Sequence, residues 1–381
     1  MMNYIYTLLL FVCFSSYSQN TFIGKIIDKE SNEPVIGASI RILDSNNGTF
    51  SNENGEFQII LNGNNKSLTI THLAYNTVKL EITNNSSRII ILTPAVVSLP
   101  EITAGNPAIN FINLVINKAI REKDEKHFYK SFYQKTSIGE GNYNKIHEMF
   151  FEMCWTTEGV QFWKPTKTRY AEKSKQRFTY KNFIYSSFLQ SSIINKYYFF
   201  PLNTENPTDN YNYKIEKYIN EGKIDEIVVI KCTPKKSIKS KTSFSGRLFI
   251  DTKNDILLNI KGLYDRPRNK KWKHDRVIEV SFEKVNNKPE LKFIHIEDIT
   301  TNVLTRKKSI ERAWIYCISN IPKLSNGKAY KIDEIDDDLV FFENAPYVKN
   351  FWDNEIPIFH TNLEREIIEY FEKNGLFKGN L

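Results

Sequence analysis

The sequence is poor in cysteine and has no long apolar segment in its interior. Four cysteines in 381 residues are too few for the disulfide framework that stabilises small secreted domains. Beyond the N-terminus, no uncharged apolar run reaches the roughly 18 residues that a membrane-spanning helix needs. These two absences exclude a disulfide-scaffold protein and a multi-pass helical membrane protein. The 41% hydrophobic and 25% charged residues are typical of a folded chain.

The sequence motifs of several enzyme classes are also missing. There is no GxSxG elbow, P-loop or GxGxxG, and Ser245-Gly246 lacks the flanking glycine of a nucleophile elbow. The six histidines are too far apart for a local zinc motif. Two pairs, His147 with Glu148 and His295 with Glu297, could serve a metal or acid–base site, or could be solvated strand residues. We therefore expect no catalytic residue, no metal site and no cofactor.

Two acidic stretches could suggest calcium. Residues 44–48 begin like an EF-hand loop, but Gly55 stands where the loop needs its distal glutamate, and Asx-rich hairpin turns explain the stretch equally well. Residues 333–338 form an acidic run that is either a solvated loop or an ion or partner site.

The N-terminus has the pattern of an export signal. Residues 1–18 contain no charged side chain, residues 4–14 are almost wholly apolar, and Ser16 and Ser18 supply small residues before Gln19. The pattern predicts a signal peptide over 1–18, so the mature protein is expected in the periplasm or at the outer-membrane periphery. The alternatives are a buried N-terminal strand and lipidation at Cys13, although Val12 is larger than the residue that normally precedes a lipidated cysteine.

Three cysteines remain after the signal, namely Cys154, Cys232 and Cys317. Three thiols cannot all pair within the chain, so at least one is free or pairs outside it. All three lie among apolar strand residues, where buried and inert thiols are usual.

Residues 20–93 have the pattern of a small all-β module. About seven short strands are separated by Asn-Gly and Pro turns, and Ile36, Ala38, Ile40 and Ile42 alternate with Ser39 and Arg41. Asn47-Gly48, Asn54-Gly55 and Asn62-Gly63 suit the positive-φ positions of tight hairpins. Strands at this spacing indicate a β-sandwich.

These residues also resemble a known family. The segments GKIID (24–28), EPVIGASI (33–40), GTFS (48–51) and NGEF (54–57) closely resemble the carboxypeptidase-regulatory-like domain, as do LTITHLAY (68–75) and VSLPEI (97–102). The resemblance implies a transthyretin-like sandwich of the kind found at the N-termini of Bacteroidetes envelope proteins. It implies an accessory module and brings no catalytic residue.

Residues 94–106 are predicted to be a linker, and residues 107–381 a larger α+β domain. Asn106 and Pro107 would begin an amphipathic helix over 107–127, a second helix is expected over 183–200, and Thr361-Asn362-Leu363-Glu364 reads as a capping box for a helix that stops at Gly375. Between them lie long strand patterns, including a meander with a hairpin turn at Asn286-Asn287-Lys288-Pro289. The whole protein is therefore expected to be mainly β, with a sandwich, an antiparallel sheet and a few helices.

The second domain carries a more scattered resemblance. NPA (106–108), FYKSFYQKTS (128–137), SGRLFID (245–251) and FWDNEIPI (351–358) resemble a Bacteroidetes domain of unknown function that follows the same sandwich. In longer members this domain precedes an outer-membrane barrel, and because the sequence ends at Leu381 we expect no such barrel here. The meander is also similar to the half-barrel of periplasmic lipoprotein carriers.

Charge is distributed unevenly along the chain. Residues 1–101 hold 6 Lys and Arg against 8 Asp and Glu, so with a total of +8 the remaining residues carry +10. Two basic stretches contain Lys235, Lys236, Arg268, Lys270, Lys271 and Lys273. In an exported protein these suit an anionic headgroup or lipopolysaccharide phosphate rather than nucleic acid; the alternative is a pair of solubilising loops.

Three functions are compatible with these features. The favoured one is a non-catalytic envelope protein that binds a lipid, a glycan or an outer-membrane protein, or has a structural role. The others are an accessory or carrier of outer-membrane assembly or transport, and an envelope hydrolase of the carboxypeptidase kind. A carrier would use a concave aromatic site closed by the helix 183–200. Phe151, Trp155, Phe162 and Trp163 are its candidate residues, with core packing as the alternative role.

Overall fold

The computed structural model divides the chain into two compact units. The first comprises Met1–Pro94 with Pro357–Phe359, and the second Ala95–Ile356 with His360–Leu381. The structure describes residues 20–43, 48–61, 67–82, 88–100, 105–139, 142–173, 182–205, 207–266, 271–334, 337–338, 340, 342, 349–352 and 358–378. The predicted signal peptide, Asn47, residues 44–46 and Asn62-Gly63 lie outside these residues.

The first unit is a seven-stranded β-sandwich, as the sequence predicts. One sheet has the order β4-β1-β7 and the other β3-β2-β5-β6, and β1 pairs in parallel with β7. Alternate side chains of both sheets, among them Phe22, Phe57 and Ile70, meet in one apolar core. The strands are β1 (Asn20–Asp28), β2 (Ser39–Ile42), β3 (Gly48–Phe50), β4 (Glu56–Leu61), β5 (Ser67–His72), β6 (Tyr75–Glu81) and β7 (Arg88–Leu92).

The second predicted strand is shorter than its sequence pattern. The alternation begins at Ile36, yet β2 begins at Ser39 and the Ile36 side chain is 44% exposed. Gly37 adopts a φ of 71°, a left-handed turn that an extended strand cannot contain. The prediction that Ile36 faces the core is therefore wrong, whereas Ala38, Ile40 and Ile42 are buried.

The second unit is built on one large antiparallel sheet of twelve strands. Its order is β19-β11-β10-β9-β18-β17-β16-β15-β14-β13-β12-β8, and the sheet does not close. The strands are β8 (Val97–Ser98), β9 (His127–Gly139), β10 (Asn142–Thr156), β11 (Gly159–Glu172), β12 (Tyr211–Ile219), β13 (Ile227–Pro234), β14 (Ser243–Asp251), β15 (Ile256–Asp265), β16 (Trp272–Val285), β17 (Lys288–Asn302), β18 (Lys308–Asn320) and β19 (Tyr330–Lys331).

The predicted meander forms β16, β17 and β18. Asn286 and Asn287 adopt φ values of 51° and 60°, which is the backbone of a two-residue type I′ hairpin. Lys288 pairs directly with Val285 beyond this turn. The expected antiparallel sheet with a few helices is therefore confirmed.

Within the described residues, five helices accompany the large sheet. They are α1 (Ala108–Arg121), α2 (Phe183–Leu189), α3 (Pro207–Asn210), α4 (Lys349–Trp352) and α5 (Asn362–Lys373), with a 3₁₀ turn at Ile332–Glu334. None of the helices in the described ranges is both long and apolar enough to cross a membrane.

Two of the predicted helices are shorter than expected. α1 ends at Arg121 rather than at residue 127, and it starts after Pro107 without a side-chain cap. The Asn106 amide donates to the Tyr213 carbonyl at 2.9 Å. The helix expected over 183–200 ends at Leu189, and the following residues form turns. The Ser187 hydroxyl donates to the Phe183 carbonyl within this helix, a local bond that competes with helical continuation.

The C-terminal helix forms as predicted. The Thr361 hydroxyl accepts from the Glu364 amide at 3.2 Å, while the Glu364 carboxylate accepts from the Thr361 amide at 2.9 Å. Gly375 follows the helix with a φ of 60°, and the Leu376 amide donates back to the Phe371 carbonyl.

Candidate functional site

Three of the four candidate aromatic residues lie together on one face of the large sheet. We call this the inner face; it carries Tyr133, Phe151 and Ile294 and packs against α1 and α2. Phe151, Trp155 and Trp163 are at most 1% exposed there. Phe162 is adjacent to Trp163 in β11 and is 36% exposed, outside this cluster.

Residues 182–205, which we call the cover segment, pack directly on these aromatic residues. The Trp155 indole donates to the Ser191 carbonyl at 2.9 Å, and the Phe188 ring lies 5.5 Å from that of Trp163 and 5.6 Å from that of Phe151. The surface that the sequence suggests for a ligand is therefore occupied by the chain itself.

One end of the inner face is charged although it is buried. Polar side chains of five neighbouring strands form one cross-strand line at this end. In order from β10 to β16 they are Lys145, Ser137, Glu311, Asp298 and Arg276. The Arg276 guanidinium donates to the Asp298 carboxylate at 2.7 Å, and the Lys135 ammonium lies 3.4 Å from Glu311. These ion pairs compensate most of the charge that folding removes from water.

The same charged end holds the start of the cover segment. The Asp338 carboxylate accepts from the Phe183 amide at 2.9 Å and from the Ile184 amide at 3.2 Å. The Lys135 ammonium lies 4.3 Å from the centre of the Phe183 ring. Burial raises the pKa of Asp338 to about 7, although Lys135 and the two amides oppose the shift.

Two buried polar side chains of the inner face, whose rings lie against Phe342, are not satisfied by described residues. No hydrogen-bond partner is found within those residues for either ring nitrogen of His147 or for the Tyr133 hydroxyl. Burial, followed by the charges of Lys135 and Lys145, holds the pKa of His147 well below its usual range. Burial also raises the pKa of Tyr133, so both groups are neutral at pH 7.

The opposite, outer face of the sheet holds a buried ionic cluster that the sequence did not reveal. The Glu148 carboxylate is bound by the His360 ring nitrogen at 2.6 Å, the Arg169 guanidinium at 2.6 Å and the Gln134 amide at 3.0 Å. Burial alone would raise the pKa of Glu148, but Arg169 and His360 hold it well below its usual range. The four residues are far apart in the chain, so no local spacing could have indicated the cluster.

The two histidine–glutamate candidates have different outcomes. His147 lies on the inner face and Glu148 on the outer face, so they cannot form one site. His295 and Glu297 do share the outer face, 3.7 Å apart. Glu297, however, is bound by Arg312 at 2.7 Å, and burial followed by Arg312 and Lys261 lowers the pKa of His295 to about 3.

The other candidates for chemistry lie in unrelated places. Ser245 is exposed in β14, Cys154 and Cys232 are buried free thiols, and Cys317 is half-buried. Asp338 holds α2 rather than forming a solvated loop, which corrects that interpretation for this residue. Within the described ranges, no three His, Cys, Asp or Glu residues gather as metal ligands would.

The structure brings the two basic stretches to the same end of the sheet. Lys235 and Lys236 follow β13, and Lys271 and Lys273 lie at the start of β16. The two connections flank the register pair Ser243 and Asp265. Lys273 is neutralised by Asp275 at 2.7 Å, and Arg268 and Lys270 lie outside the described residues.

A further set of cations lies on the outer face, where the sequence had not indicated a site. Lys214, Lys231, Arg247 and Lys261 are exposed on four neighbouring strands, and each faces the next in the cross-strand register. We call these four residues the cationic row. Only the strand register brings them together.

The β-sandwich can be assigned to a family. Residues 22–103 match the CarboxypepD_reg-like domain family. The chain carries a carboxypeptidase-regulatory-like domain. The match covers most of β1, the strands β2 to β7 and the short edge strand β8 of the large sheet, and it ends before α1 and the other strands of that sheet. A comparison with curated proteins finds no match for the chain.

Comparison with solved structures gives weak similarities. A DUF1329 family protein from Desulfovibrio piger is 11% identical over 58% of this chain and 96% of its own, with a TM-score of 0.27. A LolA superfamily protein from Nitrosomonas europaea is 9% identical over 56% of this chain and 94% of its own, with a TM-score of 0.21. Lipovitellin is 10% identical over 65% of this chain and 30% of its own, with a TM-score of 0.25.

Proposed function

We propose that this protein is an exported cell-envelope accessory that acts by binding or by structural support, without catalysis. Its carboxypeptidase-regulatory-like domain would serve as an accessory module, and its partner would be an outer-membrane protein, a lipid or a glycan. The observation that carries the proposal is the occupied inner face of the large sheet. Phe151, Trp155 and Trp163 are buried there under the chain's own segments.

The distribution of charge supports the same proposal. Three buried charged side chains contact α2 and so hold the cover segment: Lys135 lies over the Phe183 ring, Arg276 donates to the Ser186 hydroxyl, and Asp338 accepts from the Phe183 amide. On the outer face, by contrast, cationic side chains are exposed to solvent. Exposed charge is available to a partner without a rearrangement of the core.

Export and catalysis are tested with one preparation. The full chain, produced in a Gram-negative host, should be recovered from the periplasm with Gln19 as its first residue. A chain without residues 1–18 should stay in the cytosol. The purified protein should hold no stoichiometric zinc and should not release C-terminal residues from peptides. Intact product in the cytosol would contradict export, and zinc-dependent hydrolysis would favour the hydrolase.

A carrier is the second candidate, because two buried polar side chains of the inner face have no hydrogen-bond partner among the described residues. His147 and Tyr133 could meet a lipid headgroup if the chain that packs on them, including Phe342, moved away from the inner face. Native mass spectrometry of protein extracted from the envelope separates the two functions. The favoured function predicts the mass of the polypeptide alone, whereas a retained lipid that is lost on denaturation would support the carrier.

A further inference from the structure

The cationic row lies across four consecutive strands of the outer face. Lys214 of β12 faces Lys231 of β13, Lys231 faces Arg247 of β14, and Arg247 faces Lys261 of β15. Neighbouring strands are about 4.8 Å apart, so the four cations follow each other at that step along a line perpendicular to the strands. All four residues are exposed.

Folding alone does not account for this arrangement. Like charges directly opposite each other on neighbouring strands destabilise a sheet. Arg247 is compensated by Glu216, whose second carboxylate oxygen lies 3.0 Å from the guanidinium, and Lys261 by Glu279 at 2.8 Å. Lys214 and Lys231 make no ion pair with a described residue, and they face each other.

Hydrogen-bonding side chains lie beside the row, on the side of the basic connections. Asn212 faces Thr233 two residues along β12 and β13, and Ser245 stands two residues before Arg247 in β14. Lys235 and Lys236 follow directly after β13. The outer face therefore offers amide and hydroxyl groups between two sets of cations.

We propose that the cationic row binds a linear acidic glycan that lies across the strands. The regularly repeated anionic groups of such a polymer can pair with cations that the strands hold at a regular spacing. Its hydroxyl groups can form hydrogen bonds with Asn212, Thr233 and Ser245. A lipid surface has mobile headgroups and does not require such register. An added peptide strand would need a sheet edge rather than a face. The inference names the partner class of the proposed function and rests on its extracytoplasmic setting.

The test compares two double substitutions in the full mature chain. Lys214→Gln with Lys231→Gln removes the two unpaired cations of the row. Lys223→Gln with Lys253→Gln is the control. These exposed lysines lie in the turns that follow β12 and β14, at the end of the strands away from the basic connections, and both double variants have the same net charge. Heparin serves as the linear acidic glycan, dextran as the neutral polymer, and vesicles of equal parts phosphatidylglycerol and phosphatidylcholine as the lipid surface.

We expect the substitutions in the row to weaken heparin binding at least tenfold, and the control pair to change it less than twofold. Loss of two contacts should also make the dependence of log affinity on log salt shallower by about two. Dextran should not bind. Circular dichroism should show both variants folded, because all four positions are exposed.

Three results would overturn the inference. The first is that the natural protein does not bind heparin. The second is that both double variants lose the same affinity for heparin. The third is that the substitutions in the row weaken binding to the vesicles but not to heparin. The last result would assign the row to a lipid surface. None of them changes whether the chain is exported or lacks hydrolase activity, so failure of this inference is distinguishable from failure of the proposed function.

Discussion

At the scale of single residues, burial rather than residue type decides what the charged groups do. The pattern of β10 predicts an amphipathic strand, with Glu148 and Glu152 on the side opposite Phe151 and Trp155, and the strand is there. The polar side is nevertheless buried, since Glu148 is fully enclosed and Glu152 is 8% exposed. Glu148 is compensated there by Arg169 and His360.

The ion pairs of Glu148 should contribute strongly to stability. Glu148→Gln removes the carboxylate that lies 2.6 Å from the buried Arg169, whose other carboxylate neighbour, Glu372, is 3.8 Å away, so we expect the free energy of unfolding to fall by about 3 to 5 kcal/mol. Glu125→Gln is the control, because its pair with Lys288 is exposed and screened by solvent, and it should cost far less. Urea unfolding followed by tryptophan fluorescence measures both, and equal costs would show that burial does not distinguish the two pairs.

Asp338 should make stability depend on pH. Its pKa is about 7 in the folded protein against an ordinary value of 3.8, so between these values the folded state binds a proton that the unfolded state has lost. The contribution of Asp338 to stability therefore decreases as the pH rises from about 4 to about 7. The advantage of the natural protein over Asp338→Asn, measured by urea unfolding, should fall across this window. An advantage that grows with pH would refute the sign.

At the scale of elements, turn chemistry decides where strands and helices end. Thr361 and Glu364 start α5 with reciprocal hydrogen bonds, and Asn286-Asn287 joins β16 to β17. Both signals are local, so the sequence is sufficient to place them. The ends of β2 and α2 differ from the sequence patterns because Gly37 turns the chain and because the residues after Leu189 pack on the inner face.

Gly55 should be the more sensitive of two glycines in turns. It has a φ of 73°, and a β-carbon at this position would collide with the Ile26 carbonyl oxygen. Gly222 has a φ of 75° with nothing near the same position. Gly222→Ala should therefore cost roughly 1 to 2 kcal/mol from conformation alone. Gly55→Ala should cost more, measured by thermal unfolding, and an equal cost would show that the collision is relieved.

At the scale of the whole molecule, two units have separate apolar cores. The sandwich core contains Phe22, Phe57 and Leu68, while that of the large sheet contains Trp155, Phe188 and Ile294. The sandwich core is built from alternate strand residues of its two sheets, whereas the core of the large sheet combines strand residues of the inner face with helix residues such as Phe188.

The sandwich should therefore fold by itself. A fragment of residues 20–94 should unfold in one cooperative transition in urea, since it contains all seven strands of both sheets. Phe57→Ala removes a large side chain from its core and should abolish or strongly lower that transition. A natural fragment without a transition would show that the sandwich depends on the rest of the chain.

The sequence by itself determined the β-sandwich, the meander, the capping box and the family of the first domain, because hydrophobic period, turn residues and caps act over a few neighbouring positions. The tertiary structure alone decided how the remaining strands of the large sheet adjoin, which aligns Lys214, Lys231, Arg247 and Lys261. It also decided how segments outside the strands pack, which brings His360 to Glu148 and covers the inner face with residues 182–205. Such groupings depend on pairing between distant segments, which local patterns do not encode.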